Sequence, residues 1–441
     1  MTRFLFAIPI VLLPFSYYFP VSLVVAGMNL TNLLLLLLLC GLFFGRRDPA
    51  HLAVKGFLGA PMLFLFAVLV VGFVSAQWHD LSHVDDDLAS LKNAIIFPPL
   101  YFIYRHCRQD LRGTRQLIVL VLVVAVCAGL QAVYQGFQFG FSGYDGTQRA
   151  VGPFGDIRQV NRAGLFFAMF LPMLAAVALQ FQHRKLVRLA AIAGALILVA
   201  AILFTYSRQA YLIGLVAILI LLLRRSLIAA VLATVLIITC ASLLPASVIE
   251  RVQETRQVEA SGAVELDSST ASRFEIWEGA RDMLRDHPMG VGLDRFQKQI
   301  GNYTNRPGVD AHNTFVLILA ECGPFGLLAM LWLIWRMWLL ARWLRRSAGP
   351  RPEASTLALG FTLTVVSMAM GNLYGSPFFQ GLIMANFWIL CGLMERYGMI
   401  KAHAAGIAHS SPVAPVPMTV RFPLVARALP GLAMMRKPPL P

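Results

Sequence analysis

The sequence predicts an all-α, polytopic membrane protein, and three observations carry that expectation. Of 441 residues, 58% are hydrophobic and only 13% are charged, and the mean hydropathy is +0.69, whereas charged residues make up about 25% of ordinary soluble domains. The chain divides into about twelve apolar runs, most of them near the ~20 residues that a helix needs to cross a bilayer. The segments between the runs alternate between basic and acidic or neutral. A chain this apolar has too little polar surface to clothe separate globules, so most of it must face lipid. The 37 Lys+Arg against 22 Asp+Glu leave a net charge of +15, which membrane topology largely absorbs, so no nucleic-acid partner is implied.

In chain order the runs lie near 4–19, 21–44, 56–76, 89–104, 117–135, 162–182, 189–206, 210–223, 227–244, 313–340, 355–374 and 379–397. Pro9, Pro14 and Pro20 interrupt the first stretch, which leaves a hairpin or one tilted span open there. Met1 to Arg3 is too short a basic region for a removable signal peptide, so the first helix is expected to stay. Basic connections mark the cytoplasmic side: Arg46, Arg47 and Lys55; Arg105, Arg108, Arg112 and Arg115; Arg184, Lys185 and Arg188; Arg224 and Arg225; Arg342, Arg345, Arg346 and Arg351. The segments with Asp80 and Asp85 to Asp87, 136–161 and 245–311 then lie outside, and both termini inside. Four regions follow: helices 1–9 over 1–244, an external loop over 245–311, helices 10–12 over 312–402, and a tail over 403–441, rich in Ala, Pro and scattered Arg, that cannot bury a core and reads as a disordered basic tail near anionic lipid. Six cysteines (Cys40, Cys107, Cys127, Cys240, Cys322 and Cys391) lack CxxC spacing, which argues against a zinc site or a disulfide framework.

The external loop holds 11 of the 22 acids and reads as a folded lid. Ser272-Arg273-Phe274-Glu275 has the form of a capping box, and Phe274, Trp277, Ala280 and Leu284 follow at helical spacing until Pro288 and Gly290. Several residues break the topological rules. Arg208, in a short turn between two apolar helices, is a cation on the outside; it either snorkels to lipid phosphate or binds a ligand. Arg273, at the expected start of the lid helix, would add to the positive end of the helix dipole, which suits an anionic ligand or a salt bridge to Glu275 or Glu278. His312 stands where the loop enters the tenth helix, as a general base or as a structural histidine. Glu321, inside that helix, suggests a structural or orienting role, and Gly323-Pro324 should kink the helix. Asp85 to Asp87 read as a solvated acidic loop rather than a metal site, and Gly290-Val291-Gly292 as a turn rather than a nucleotide loop. Arg149, Arg158 and Arg162 surround the polar approach to the sixth helix and offer a further wall for a site.

These motifs, in this order, resemble the O-antigen ligase and polymerase superfamily of bacterial membrane glycosyltransferases. Ser207-Arg208 matches a Ser-Arg pair at the outer end of a mid-chain helix, and Arg273-Phe274-Glu275-Ile276-Trp277 an Arg-x-x-hydrophobic-Trp motif in the large loop. His287-Pro288-Met289-Gly290-Val291-Gly292 is similar to the family's His-Pro turn, though one residue tighter than some members. His312-Asn313-Thr314-Phe315 then opens a helix that continues as Glu321-Cys322-Gly323-Pro324-Phe325-Gly326. Pro153-Phe154-Gly155 and Asn161 look similar to a further motif, with a longer spacer.

The resemblance implies a GT-C-like enzyme of the bacterial inner membrane, most like a ligase because only one loop is large. It would transfer an undecaprenyl-diphosphate-linked O-antigen glycan to a hydroxyl of lipid A-core at the periplasmic face, inverting the anomeric centre. Polymerase and protein O-oligosaccharyltransferase activities remain alternatives, and a lipid or sugar transporter is a further one from a different class. Arg208 and Arg273 would hold the diphosphate without a metal or other cofactor, and His312 would serve as base. Asn313, Arg158 and Asn161 would contact substrate.

Overall fold

The computed structural model describes residues 2–19, 33–35, 38, 56–79, 81–140, 148–180, 184–239, 256–258, 264–266, 268–347 and 352–404. The run expected at 21–44 falls almost wholly outside the described residues, as do Arg46, Arg47, Lys55, Asp80, Arg351, Cys40, Cys240, 245–255 and the tail beyond 404.

The chain opens with α1 (Thr2–Leu12), shorter than the expected span over 4–19. Pro14 lacks the N–H that would continue the ladder, and the chain leaves through a turn, with Phe15 N–H bonded to Leu12 O at 3.2 Å, into a 3₁₀ turn at Ser16–Tyr18. Next, α2 (Gly59–His79) follows its expected run. The run over 89–104 is not one helix: α3 (Val84–Ile96) stops, Pro98 and Pro99 remove two consecutive donors, and α4 (Leu100–Arg105) lasts six residues. The expected apolar runs return as α5 (Leu111–Phe139), α6 (Val160–Gln180), α7 (Lys185–Phe204), α8 (Arg208–Leu223) and α9 (Leu227–Thr239). A two-stranded antiparallel hairpin, β1 (Arg256–Val258) and β2 (Val264–Leu266), precedes α10 (Ser268–Asp286) and the short α11 (Phe296–Gln299). The chain then forms α12 (Thr314–Ser347), α13 (Pro352–Gly371) and α14 (Gly381–Ala404).

Among the described residues six helices are long and apolar enough to cross a membrane, namely α2, α5, α6, α7, α12 and α13. On α2, α7 and α9, Leu63, Val71, Leu189, Leu196, Leu232 and Leu236 stay exposed, the arrangement expected of helices whose outer faces meet lipid. In contrast α6 and α13 pack on each other and are mostly buried, and α14 is buried on every side from Ile383 to Met399. Within α14, Glu395 accepts hydrogen bonds from Arg105 Nε (2.7 Å), from the Tyr101 hydroxyl and from Phe57 N–H (3.4 Å). Arg105, expected among the loop cations, is therefore a buried partner of Glu395, because α4 lies against α14.

The break in α12 organises one side of the bundle. Gly323 takes φ 64° and ψ −164°, and Pro324 has no N–H to give to the carbonyl of Ala320, four residues earlier. Two backbone donors from the preceding loop make up the loss: Val291 N–H bonds Ala320 O and Gly292 N–H bonds Glu321 O, each at 2.9 Å, while Leu293 N–H reaches Gly72 O on α2 at 3.0 Å. The His287–Gly292 segment is thus a turn, as expected, and its glycines permit the close approach. A Cβ on Gly290, whose φ is +92°, would lie 2.5 Å from Glu321 O. Gly290→Ala should therefore lower the thermal midpoint of the purified protein well beyond the ~1–3 kcal/mol of backbone strain alone. Gly308→Ala, at φ +74° with nothing within 4 Å, should show only the strain component.

Candidate active site

The loop segment that docks on the α12 break carries its own small core. Ile276, Ala280 and Met283 of α10 recur at helical spacing and pack with Val291, Phe296, Ile300 and Ala311 against Ala320 of α12. The buried stripe is displaced from the expected one, and Phe274 is exposed, edge-on to Trp277. Because α10 begins at Ser268, Ser272 lies inside the helix and is not its cap. Arg273 likewise sits beyond the first turn, where the dipole argument for an anion loses force. Glu275 bonds Arg306 Nε at 2.7 Å instead of Arg273.

The expected solvated acidic loop is also corrected. Asp85 and Asp86 are exposed in the first turn of α3, but Asp87 is fully buried. Its carboxylate accepts from Arg295 at 2.7 Å, Lys298 at 3.0 Å and Gln77 Nε2 at 2.7 Å, so it fastens the loop segment to α2 and α3. The carboxylate is shut off from water, and two cations compensate its charge. No cluster suited to a metal ion occurs among the described residues.

His312 occupies a corner with φ 49°, a left-handed conformation uncommon for a residue with a side chain. Three neighbours hold it. Trp277 Nε1 donates to Ala311 O at 2.9 Å; Thr314 N–H donates to Asn372 O at 2.9 Å and Gly375 O at 3.0 Å; and the Ser376 hydroxyl donates to Asp310. Asn313, expected at the substrate, is engaged as the cap of α12, with Oδ1 accepting from Phe315 N–H (2.9 Å) and Val316 N–H (3.3 Å). The imidazole reaches solvent, yet packing desolvates it enough to lower its pKa below the usual histidine value. Asp310 opposes that shift, and the charges of Arg273 and Arg162 add to it. Those four residues therefore share one electrostatic neighbourhood.

Arg208 is half-buried at the start of α8, behind Ser207, whose Oγ caps the helix, and Tyr206, at φ 49°. Arg149 fixes this second corner by donating to Thr205 O (2.9 Å) and Tyr206 O (3.2 Å), and it also donates to the side-chain oxygen of Asn161 (3.1 Å). Gln209 Nε2 then bonds Gly371 O at 2.7 Å. The corners of Arg208 and His312 are thus moored near one another in the chain, Arg208 through Gln209 to Gly371, the last residue of α13, and His312 through Thr314 to Asn372 and Gly375 in the turn that follows. Arg158 lies in a 3₁₀ turn at Ile157–Gln159, with its side chain outside the described residues.

Beside His312 a cavity of about 530 Å³ opens between α3, the start of α6, the α12 break and the start of α14. Arg162, Asp310 and Glu321 line it. Glu321 is buried and accepts from Phe296 N–H at 3.4 Å. The sequence reading did not single out Asp310, and Arg162 appeared only as part of a basic approach. Their shared neighbourhood depends on folding residues 159–162 against 310–312.

A multi-pass, predominantly helical membrane protein whose loop segment packs on the α12 break and brings Arg273 near His312 is the class these features define. Residues 193–331 match the family model described as O-antigen ligase. This match bears out the family resemblance of the sequence motifs, and the matched segment includes Arg208, Arg273, His312, Asn313 and Glu321. No curated protein matches the chain.

Removing Asp87 leaves Arg295 buried without its counter-charge, a change that costs about 3–5 kcal/mol. Asp87→Ala should therefore lower the thermal midpoint sharply and expose the 268–311 segment to protease, whereas Asp86→Ala, at an exposed position, should stay within about 0.5 kcal/mol of the parent.

Proposed function

We propose that this protein is a membrane glycosyltransferase of the O-antigen ligase type. It transfers a glycan from undecaprenyl diphosphate to a hydroxyl of lipid A-core at the periplasmic face of the bacterial inner membrane. The family match supports a polysaccharide ligase or polymerase role in general. The observation that carries the finer reading is His312 on a rigid corner, within the electrostatic reach of Arg273 and held by the turn that follows the α13 end to which Gln209, beside Arg208, is bonded.

Cleaving a glycosyl–phosphate bond leaves negative charge on a diphosphate. Arginines stabilise that charge by planar, bidentate hydrogen bonds. In this reading Arg208 and Arg273 hold the diphosphate. The acceptor hydroxyl loses its proton to His312 as its oxygen attacks the anomeric carbon, and the C–O bond to phosphate breaks on the opposite face. One displacement inverts the anomeric centre. The arginines supply the charge that a metal ion supplies elsewhere, so the reaction is expected to proceed without one. A lowered pKa keeps His312 neutral at pH 7, the form a base requires. Asn161 fits best as a support for the Arg208 side of the site, through its bond from Arg149.

Removing a general base costs about 10²–10⁴ in rate with little effect on ground-state binding. Purified His312→Ala should therefore bind the lipid-linked donor like the parent and fail in single-turnover transfer. Loss of donor binding, or near-parental transfer, would refute the assignment. In the parent, the rate should hold as pH falls from neutral and decline only below the ordinary histidine range, because the lowered pKa delays protonation. A decline already centred above that range would assign the titration to another group.

A further inference from the structure

The segment that follows α10 sits well below the ends of the helices around it. With 21 and 20 residues, α2 and α13 each measure about 30 Å at ~1.5 Å per residue, the thickness of a bilayer's hydrocarbon core, so their ends mark its edges. On the side of the loop, that edge passes through Trp78, exposed in the last turn of α2, and through Thr314, whose N–H bonds Asn372 O just past α13. Leu293 N–H meets Gly72 O seven residues before the end of α2, about 10 Å inside the edge. A Cβ on Gly323 would lie 2.7 Å from Met289 O, and Gly323 is nine residues along α12 from Thr314, about 13 Å inside. Measured from the opposite face, Arg336 Nε bonds Phe57 O near the far end of α2, thirteen residues and about 20 Å from Gly323. The three measures agree.

Backbone outside a helix is tolerated at such depth only where its polar groups are bonded within the protein. Residues 288–293 satisfy that condition. Pro288 has no N–H, Gly290 N–H bonds His287 O at 2.8 Å, and the next three amides donate to Ala320 O, Glu321 O and Gly72 O. The outward side chains suit hydrocarbon as well: Met289 is 65% exposed, Phe325 and Leu328 are exposed beyond it on α12, as are Val71 and Val74 on α2, and no residue from 288 to 293 is charged. We infer that residues 288–293 form a re-entrant loop whose Met289 is immersed in the acyl chains of phospholipids in the external leaflet. This part of the expected external loop is then a membrane element, and its partner is phospholipid. Arg285 and His287, exposed just before the tip, fall at headgroup level, where long cationic side chains are at ease. Lipid thereby helps to hold the segment on the α12 break. The embedding does not depend on which reaction is performed at His312.

The test uses the full-length protein in native membrane vesicles. The photoreactive analogue p-benzoylphenylalanine is placed at Met289, at Val71 on the outer face of α2, and at Asn305, exposed on the loop; after irradiation the adducts are identified by mass spectrometry. In parallel, Met289→Cys and Asn305→Cys are treated with a membrane-impermeant maleimide, and labelling is counted above that of the parent. Because Met289 is exposed, both replacements leave the packing intact. Positions 289 and 71 should carry phospholipid adducts and position 305 none, and Met289→Cys should react at least tenfold more slowly than Asn305→Cys. Equal maleimide rates would place the tip in water and overturn the inference. Absence of phospholipid at position 289 while position 71 carries it would overturn it too. So would adducts to polyprenyl chains alone, which would make this face a groove for an isoprenoid instead of a bilayer contact.

Discussion

The architecture depends on two carbonyls that a helix cannot satisfy. At Gly323-Pro324 the α12 ladder fails, and inside an apolar bundle no water is at hand to repair it. Val291 and Gly292 repair it with backbone N–H groups, and that repair sets the depth at which the whole 287–298 segment enters the bundle. Once seated, the segment reaches α2 through Gly72 and delivers Arg295 and Lys298 to the buried Asp87. The small core of α10 closes over it. Helix break, glycine turn and buried ion triad are therefore one device, and each part would be unstable without the others.

Function follows from what this device holds still. Trp277, brought down by the α10 core, fixes the carbonyl before His312, and the turn between α13 and α14 fixes Thr314 after it. In the proposed role of base, His312 on so constrained a corner would be preorganised instead of recruited by substrate. The last residue of α13, just before that turn, receives Gln209, so the Arg208 corner is referred to the same frame. Around the histidine, Arg273 stands on the loop helix, while Asp310 and Glu321 line the cavity together with Arg162 and Lys92. In the proposed reaction a neutral hydroxylated acceptor joins the glycan while an anionic diphosphate leaves, so cationic and hydrogen-bond-accepting groups are both needed around the histidine.

Much of this was legible in the sequence because apolar length and breaker residues are local signals. The ranges of α5 through α8 and of α12 through α14 follow their apolar runs within a few residues, and Gly323-Pro324 announces its own kink. Local reading failed where tertiary partners decide. The Ser-x-x-Glu pattern at Ser272 is a valid start signal, yet α10 begins a turn earlier. Asp87 is indistinguishable in sequence from Asp85 and Asp86; only the approach of Arg295 from 208 residues away buries it. Arg105 looks like any topogenic cation until Glu395 is folded against it. The histidine and the arginines stood out because each breaks a rule of charge placement, whereas Asp310 breaks none.

The central claim is that Arg208 serves the donor diphosphate with its planar guanidinium and is not merely a snorkelling cation. Arg208→Lys tests it most directly, since charge is kept and the bidentate fork is lost. With membrane insertion and thermal midpoint confirmed as parental, donor affinity and single-turnover transfer from the undecaprenyl-diphosphate-linked glycan are measured together. The account predicts that both fall. Parental affinity together with parental transfer would contradict it and return Arg208 to the role of an interfacial anchor.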